Sequence, residues 1–370
     1  MSDTVYIRPI GFAPGPQSEE GDAVRLAGGL VYASRFAVIY RRDGEVVERW
    51  RASPGSIAQV LGELPNSVAA EAEAQWGNLR MAHPALELGA RTVRLDQPQV
   101  MGILNVTPDS FSDGGKHVGD PAGTREAIGA MVEAGAAIID IGGESTRPGA
   151  EAVWEEEEIR RVVPAVEAAA SMGAAVSIDT RRAGTMEAAL KAGAGIVNDV
   201  SALRYDPRSA ELVAKTGCPV VLMHAPGSGN DLHEGGTYES VVLDVFDALR
   251  ERRDAAVAAG IAREKILLDP GLGFGKSLSD NLALINALPL FHALGQPILF
   301  GASRKRMIGA LSKEAAADAR LGGSIALALK AMDAGAQLLR VHDVPETVQA
   351  RDVWRGLRDA ALTDFGDLPG

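Results

Sequence analysis

The stretch MGILNVTPDSFSDGG, residues 101–115, joins a short apolar run to a dense polar loop. Its first residues have the length and composition of a buried strand. From Asn105 onward it carries an amide, two carboxylates, three hydroxyls, one aromatic ring and two glycines. Such residues are common in ordinary turns, but at the carboxyl end of a buried strand they also form ligand-contacting loops. The second interpretation is favoured because the same pattern recurs along the chain.

Short apolar segments alternate with amphipathic runs from residue 100 onward. The predicted strands are 100–106, 137–141, 175–178, 196–200, 220–223, 266–268, 298–301 and 338–341. The predicted helices between them include 124–134, 155–171, 185–191, 238–259 and 322–334. Eight β-α units over about 260 residues match the size of a TIM (β/α)8 barrel, an α/β fold. A doubly wound open sheet is the competing architecture, since periodicity does not separate the two.

The first 83 residues differ in character and predict a small N-terminal α+β extension. Asp43 and Gly44 separate two strand-like segments, which is a strong hairpin signal, and residues 4–9 form a further strand candidate. Residues 66–81 predict a helix capped by Asn66. A second hairpin, within 86–100, is placed to close the bottom of the barrel. We therefore expect an extension of unknown role at 1–83 and the barrel at 84–370.

Composition narrows the class of partner. The net charge of -12 argues against nucleic acid or an anionic membrane, since either needs a basic face. The single cysteine forms no internal disulfide, and no segment has the pattern of a secretory leader or the length of a membrane span. We expect a cytoplasmic protein that acts on small molecules.

Each predicted strand is followed by a chemically functional side chain. These residues include Asn105, Asp140, Asp179, Asn198, His224, Asp269, Ser303, Lys305, Arg340 and His342. In a barrel such positions converge on one face. Buried carboxylates there need cationic or hydrogen-bonding partners, because leaving them unpaired is costly. The acceptors suit a flat heterocycle bearing amide groups, and the cations suit an anion.

Eight motifs in this order closely resemble those of the bacterial dihydropteroate synthases. They are MGILNVTPDSFSDGG, IDIGGESTRPGA, SIDT, IVNDVSAL, VLMH, LLDPGLGFGK, GASRKRMIG and RVHDV. The resemblance covers residues 86–357 and excludes most of the extension. It implies a pterin-binding TIM-barrel transferase of folate biosynthesis, usually a homodimer. The implied reaction joins (7,8-dihydropterin-6-yl)methyl diphosphate to 4-aminobenzoate and releases 7,8-dihydropteroate and diphosphate.

The resemblance also implies residue roles. The implied pterin contacts are Asp179, Asn198, Met223, Asp269, Phe274, Gly301 and Lys305. Mg²⁺ is expected at Asn105, and diphosphate at Arg340 and His342. The implied 4-aminobenzoate pocket is shaped by Phe111, Thr146, Arg147, Pro148 and Ser303. The residues expected to act in catalysis are Asp179, Lys305, Arg340 and His342.

Some features allow other interpretations. A pterin-dependent corrinoid methyltransferase shares the barrel, and a catalytically silent pterin-binding paralogue shares the motifs. The acidic run at 155–158 is expected to be the solvated start of a helix. His224 is expected to be a packed, hydrogen-bonded residue rather than a zinc ligand. Phe274, which lies between glycines, is expected to stack on a ring.

Overall fold

The computed structural model describes residues 3–13, 22–107, 121–145, 153–227, 229 and 231–362. The chain begins with an antiparallel sheet in which β3 pairs with the three other strands. Its strands are β1 (Asp3–Phe12), β2 (Val24–Arg25), β3 (Tyr32–Arg42) and β4 (Glu45–Ala52). Asp43 and Gly44 both have positive φ, of 48° and 89°, which matches a hairpin turn twisted like its strands. The predicted hairpin is confirmed.

Two helices follow, α1 (Ile57–Gly62) and α2 (Asn66–Arg80). The expectation that Asn66 caps α2 is wrong, because Pro65 occupies the cap position and Asn66 is already helical. Trp76 of α2 packs edge-on against Phe36, with ring centroids 5.0 Å apart. Gln75 is buried and forms hydrogen bonds with backbone groups at the outer edge of β1. Its side chain accepts the N–H of Ile7 at 2.9 Å and donates to the carbonyl of Val5.

Residues 86–341 contain a short hairpin and eight parallel strands. The hairpin strands are β5 (Leu86–Leu88) and β6 (Arg91–Val93), and the parallel strands are β7 (Gln99–Asn105), β8 (Ile138–Gly142), β9 (Val176–Asp179), β10 (Ile196–Asp199), β11 (Val220–Met223), β12 (Ile266–Asp269), β13 (Leu299–Phe300) and β14 (Leu338–Val341). Their order is β12-β11-β10-β9-β8-β7-β14-β13, and a bridge between Leu268 and Ile298 brings β12 against the start of β13. The sheet therefore closes on itself, and the predicted TIM barrel is confirmed over the open sheet.

Helices alternate with the barrel strands. They are α3 (Pro121–Glu133), α4 (Glu155–Ser171), α5 (Ala183–Ala192), α6 (Ser209–Thr216), α7 (Val241–Ala258), α8 (Leu278–Ala287), α9 (Arg306–Leu311), α10 (Leu321–Asp333) and α11 (Val344–Leu362). Helices α5 and α6 end at Gly193 and Gly217, whose left-handed conformation favours glycine. No helix in the described ranges is both long and apolar enough to cross a bilayer.

The hairpin β5–β6 closes the amino-terminal end of the barrel, as the sequence predicts. Its buried apolar side chains form one cluster with a buried residue from the start of each barrel strand or from just before it. The members are Leu86, Leu88, Val93, Leu95, Met101, Ile138, Ala175, Ile196, Val221, Leu267, Leu299 and Leu338. Because this end is filled with side chains, a ligand reaches the interior only from the carboxyl ends of the strands.

The extension packs directly on the barrel. Tyr6 contacts Phe246 edge-on, with ring centroids 5.3 Å apart, and its hydroxyl donates to Asp247 at 2.6 Å. Arg41 donates to Asp244 at 2.9 Å and to Glu239 at 3.1 Å. One hydrophobic cluster includes residues of both regions. The division at residue 83 therefore stays a proposal, since the two regions share a core.

Candidate active site

Polar side chains from three barrel strands are joined by one guanidinium. Arg340 of β14 donates from Nε to Asp140 Oδ2 and from Nη2 to Asp179 Oδ2, each at 2.6 Å. Asn198 of β10 donates to the same Asp140 oxygen at 3.3 Å. These strands bring the residues together because side chains at their carboxyl ends point into the open end of the barrel.

One cation serves two carboxylates in this network. Asp140 is fully buried, and Asp179 is largely buried. Burial raises the pKa of Asp179, and the negative charge of Asp140 raises it further, while Arg340 opposes the shift. The guanidinium of Arg340 therefore favours the ionised form of Asp179 against the effect of burial. The second oxygen of Asp140 has no hydrogen-bond partner among the described residues, so it can still accept a hydrogen bond.

Asp269 and Lys305 lie on another side of the same space. Asp269 accepts the N–H of Gly271 at 2.7 Å. The ammonium of Lys305 donates to the carbonyl of Leu272 and lies 4.8 Å from the ring centroid of Phe274. Burial lowers the pKa of Lys305 to about 8, although Asp269 opposes this shift.

Two glycines show that these groups share one space. A Cβ added at Gly301 would lie 3.8 Å from Arg340 Cβ and 3.9 Å from Asp269 Oδ2. A Cβ added at Gly142 would lie 3.6 Å from Asp179 Oδ2 and 3.7 Å from Asn105 Oδ1. The amide oxygen of Asn105 therefore faces the same region as Asp179, and Arg340 links that region to Asp269. Of the sequence-predicted site residues, Asn105, Asp179, Asn198, Asp269, Lys305 and Arg340 lie at this end of the barrel.

Ser303 and His342 form a neighbouring pair. Ser303 Oγ accepts the backbone N–H of His342 at 3.1 Å and lies 3.0 Å from His342 Nδ1. Between Ser303 and Lys305, Arg304 has a φ of 57° and is held by Asp343 through an ion pair. This anchored left-handed residue fixes the turn after β13 that carries both predicted site residues.

Apolar side chains form one wall of the site. Met223, at the end of β11, clusters with Val200, Ala225 and Leu232, and Phe274 packs against them. His233 stacks on Phe274 with centroids 5.1 Å apart and an interplanar angle of 13°. Phe274 therefore has a ring partner within the protein, and its stacking on a pterin ring stays a prediction. Phe111, Thr146, Arg147 and Pro148 lie outside the described residues.

Lys276 was not among the predicted site residues, although it belongs to the motif LLDPGLGFGK. Its ammonium donates to the carbonyls of Gly271 at 2.8 Å and Phe274 at 3.1 Å and lies 2.9 Å from His224 Nδ1. Burial lowers the pKa of Lys276 to about 7, and Lys305 lowers it further. His224 is the packed, hydrogen-bonded residue that the sequence predicts. The sequence signal that could have identified Lys276 is its position inside a glycine-rich loop. The carbonyls of such a loop need a hydrogen-bond donor.

A second buried ionic network lies beside the loop after β8. Arg182 donates to Glu144 at 2.9 Å and to Glu158 at 3.0 Å, and Arg181 lies over the ring of Tyr205 at 4.2 Å. Glu158 is completely buried, and burial raises its pKa. The helix start predicted at 155–158 is confirmed, and the expectation that this acidic run is solvated is wrong at Glu158. Burial of Glu158 is possible because Arg182, the residue just before α5, donates a hydrogen bond to its carboxylate.

The sequence profile described as pterin binding enzyme matches residues 101–342. A dihydropteroate synthase of Escherichia coli K12 is 48% identical over 260 residues, which cover 70% of this chain and 91% of the relative. A Xanthomonas albilineans dihydropteroate synthase solved with 4-aminobenzoic acid has a TM-score of 0.69 at 47% identity, covering 78% of this chain and all of that one. A structure of that organism's enzyme in complex with 7,8-dihydropteroate has a TM-score of 0.66 at 44% sequence identity. The match covers 77% of this chain and all of the chain in that structure. The chain therefore belongs to the pterin-binding enzymes, and within them to the dihydropteroate synthases.

Proposed function

We propose that the chain condenses (7,8-dihydropterin-6-yl)methyl diphosphate with 4-aminobenzoate, giving 7,8-dihydropteroate and diphosphate. Family membership supports this reaction, as do the complexes of relatives with 4-aminobenzoic acid and 7,8-dihydropteroate. The observation that carries it is the convergence of acceptors and cations at one end of the barrel. The hydrogen-bond acceptors are the carboxylates of Asp179 and Asp269, and the amide is that of Asn198. The positive charge comes from Lys305 and Arg340.

The acidic side of the site suits the pterin. Asp269 uses Oδ1 for Gly271 N, and its Oδ2 faces the space beside Gly301. A carboxylate oxygen there accepts hydrogen bonds from the amino and ring N–H groups of a pterin. Met223 and Phe274 provide apolar contact for the ring faces. An analogue without those donors would leave the buried carboxylate unpaired, so the pocket selects strongly against it.

The cationic side suits the diphosphate. We propose that Lys305, Arg340 and His342 bind it, with Ser303 fixing the imidazole of His342. No cluster of three or more potential metal-ligating side chains of His, Cys, Asp or Glu occurs in the described part of the chain. Mg²⁺ nevertheless fits Asn105, because this hard cation is held through few protein oxygens together with phosphate oxygens and water. When bound, Mg²⁺ would neutralise negative charge on the diphosphate.

We propose that carbon–oxygen cleavage runs ahead of amine attack, because an aryl amine is a weak nucleophile and diphosphate is a good leaving group. The bonding electron pair leaves with the diphosphate, and the methylene carbon becomes a cation conjugated with the pterin ring. The amine nitrogen then forms the carbon–nitrogen bond and loses a proton. Asp179, whose ionised form is favoured by its ion pair with Arg340, stabilises the cation, and this effect is strong where water is excluded.

A turnover assay tests the proposal. The purified protein is supplied with both substrates, with and without Mg²⁺, and dihydropteroate and diphosphate are quantified separately. The expected result is equal formation of both products, with faster turnover in Mg²⁺. A silent paralogue would bind the pterin diphosphate and form no dihydropteroate. A corrinoid methyltransferase would release no diphosphate when 4-aminobenzoate is added.

We also propose a homodimer and a cytoplasmic location. Val353 and Leu357 lie one turn apart on α11 and are 61% and 70% exposed, so they present an apolar strip on a late barrel helix. One cysteine in 370 residues suits a reducing compartment. Light scattering tests the dimer: Val353→Asp with Leu357→Asp is expected to halve the measured mass, and a wild-type monomer would contradict the proposal.

A further inference from the structure

The sheet of the extension carries four arginines on one face, Arg8, Arg35, Arg49 and Arg51, which we call the arginine face. Arg8 and Arg51 both pair across the ladder with Ala37, and Arg49 pairs with Ile39, which is two residues further along β3. Arg35 is two residues from Ala37 in the other direction. Directly paired residues, and residues two apart on a strand, point to the same side of a sheet. These four arginines therefore share the face that carries Tyr6 and Arg41.

A cavity of about 540 Å³ opens beside this face, and Arg35, Arg51, Ser53, Ser56 and Ile10 are among the residues that line it. This volume is in the range of small-molecule sites. Gly11 also lines the cavity and makes room for the arginine, because a Cβ at residue 11 would lie only 2.9 Å from Arg35 Cβ. The glycine therefore lets β1 run directly opposite Arg35.

The positive charge of the arginine face is not balanced within the described ranges. Arg35 donates to the carbonyl of Ser34 at 2.7 Å, and neither Arg35 nor Arg51 forms an ion pair with a described residue. Arg8 donates to Asn286 O at 2.8 Å, but its Nε is buried and has no hydrogen-bond partner in the part of the chain that the structure describes. Burial lowers the pKa of Arg8, and the nearby charge of Arg49 lowers it further. In a chain of net charge -12, these like charges repel one another, and a bound anion would lower that repulsion.

The two serines add a neutral donor. Ser56 Oγ accepts the backbone N–H of Ser53 at 2.9 Å, and the two hydroxyl oxygens lie 3.1 Å apart. When Ser56 donates to Ser53, to its Oγ at 3.1 Å or to its carbonyl at 3.4 Å, the hydroxyl hydrogen of Ser53 is available to a ligand. Two guanidinium forks and a hydroxyl match the several oxygens of a phosphate group.

We propose that this cavity in the extension binds a small molecule bearing a phosphate or diphosphate group, held by Arg35 and Arg51 and by a hydroxyl of Ser53 or Ser56. Ile10 offers apolar contact to the rest of such a ligand. The volume of about 540 Å³ suits a small molecule. The site is distinct from the proposed active site, because its lining residues all belong to the extension and none is among the residues placed in that active site.

Isothermal titration calorimetry on the full-length protein tests the proposal, with inorganic phosphate, inorganic diphosphate and ATP as separate probes. The double variant R35Q/R51Q is expected to weaken one class of binding sites about tenfold or more, because it removes both charged hydrogen-bonding groups from the cavity. Turnover is expected to stay at the wild-type rate. Tighter binding of ATP than of diphosphate would identify a nucleotide as the source of the phosphate, and equal binding would identify the phosphate group alone.

The matched control is R91Q/R355Q, which removes the same charge from β6 and α11. It is expected to leave the binding unchanged. A third variant, S53A/S56A, keeps both guanidinium groups and is expected to weaken binding by a smaller factor. Near-ultraviolet circular dichroism verifies that each variant is folded. Identical titrations of wild type and R35Q/R51Q would overturn the proposal, as would an equal loss in R91Q/R355Q.

Discussion

Arg340 Nη2 donates a hydrogen bond of 2.6 Å to Asp179 Oδ2, joining the last strand of the barrel to the third. The same guanidinium holds Asp140. One residue thus pairs with two buried carboxylates and also stands where we place the diphosphate. The relationship couples the acidic side of the site to its cationic side.

Asp179→Asn is expected to lower kcat by about 10² to 10³, because removing one preorganised electrostatic group from a water-poor site has an effect of that order. The affinity for the pterin diphosphate should fall far less, since Asp269 and Asn198 remain. Steady-state kinetics with a separate binding titration measures the split. Glu187→Gln, in an exposed pair on α5, is the control and should behave as wild type. Near-normal turnover by Asp179→Asn would refute the stabilising role.

The affinity for the diphosphate substrate is expected to fall as pH rises through about 8. The pKa of Lys305 is lowered to about 8 by burial, so its ammonium is charged below this pH and loses its proton above it. The charged form binds the anion, and the neutral form does not. Titrations between about pH 6.5 and 9.5 measure the effect. Lys305→Arg keeps its charge across this range, so the fall in affinity near pH 8 should disappear in this variant. An unchanged fall in affinity would mean that another group causes it.

Lys276→Met is expected to destabilise the fold by about 2 kcal/mol, because it leaves buried carbonyls of the loop after β12 without a donor. The same change should raise KM for the pterin substrate more than it lowers kcat, since Phe274 and Gly271 belong to that loop. Denaturant unfolding and steady-state kinetics give the two quantities. Lys313→Met removes a lysine with a left-handed backbone outside this loop and controls for loss of charge. Wild-type stability in Lys276→Met would contradict this account.

Arg182→Met is expected to cost about 3 kcal/mol or more of stability, because it leaves Glu144 and Glu158 buried without that cation. Arg160→Met removes an exposed arginine from the same helix as Glu158 and should cost well under about 1 kcal/mol. Urea unfolding of both variants measures the difference. Equal losses would show that burial of Glu158 does not depend on Arg182.

Arg41→Met is expected to loosen the extension from the barrel and to lower stability by about 2 kcal/mol. Arg41 is largely buried and bonds Gly44 O, Asp244 and Glu239, the last two at or just before the start of α7. Hydrogen exchange should show faster exchange in β3, β4 and the first turn of α7. Arg355→Met on α11 should leave these segments unchanged. Protection equal to wild type would show that this contact does not hold the extension.

The sequence predicts the parts of the fold that depend on local pattern. Alternating apolar strands and helices, the Asp43-Gly44 turn and the closing hairpin follow from spacing and turn chemistry, and the structure contains each of them. The polar residues at the strand ends indicate the site because parallel strands bring those ends together.

Features that depend on distant partners were not predictable in this way. The local sequence predicts that Glu158 is solvated, because its partner Arg182 lies 24 residues further along the chain. Asn66 has a good capping side chain, but Pro65 takes the cap position. The stacking of His233 on Phe274 joins two loops, and no periodic pattern sets the distance between loops.

The most direct test of the central claim is a crystal structure of the protein with the pterin diphosphate, 4-aminobenzoate omitted to prevent turnover. The account predicts one ligand in one cavity, with the pterin bonded to Asp269 and Asn198 and the diphosphate within reach of Lys305, Arg340 and His342. A pterin bound away from Asp269, or a diphosphate group directed away from Lys305 and Arg340, would contradict it.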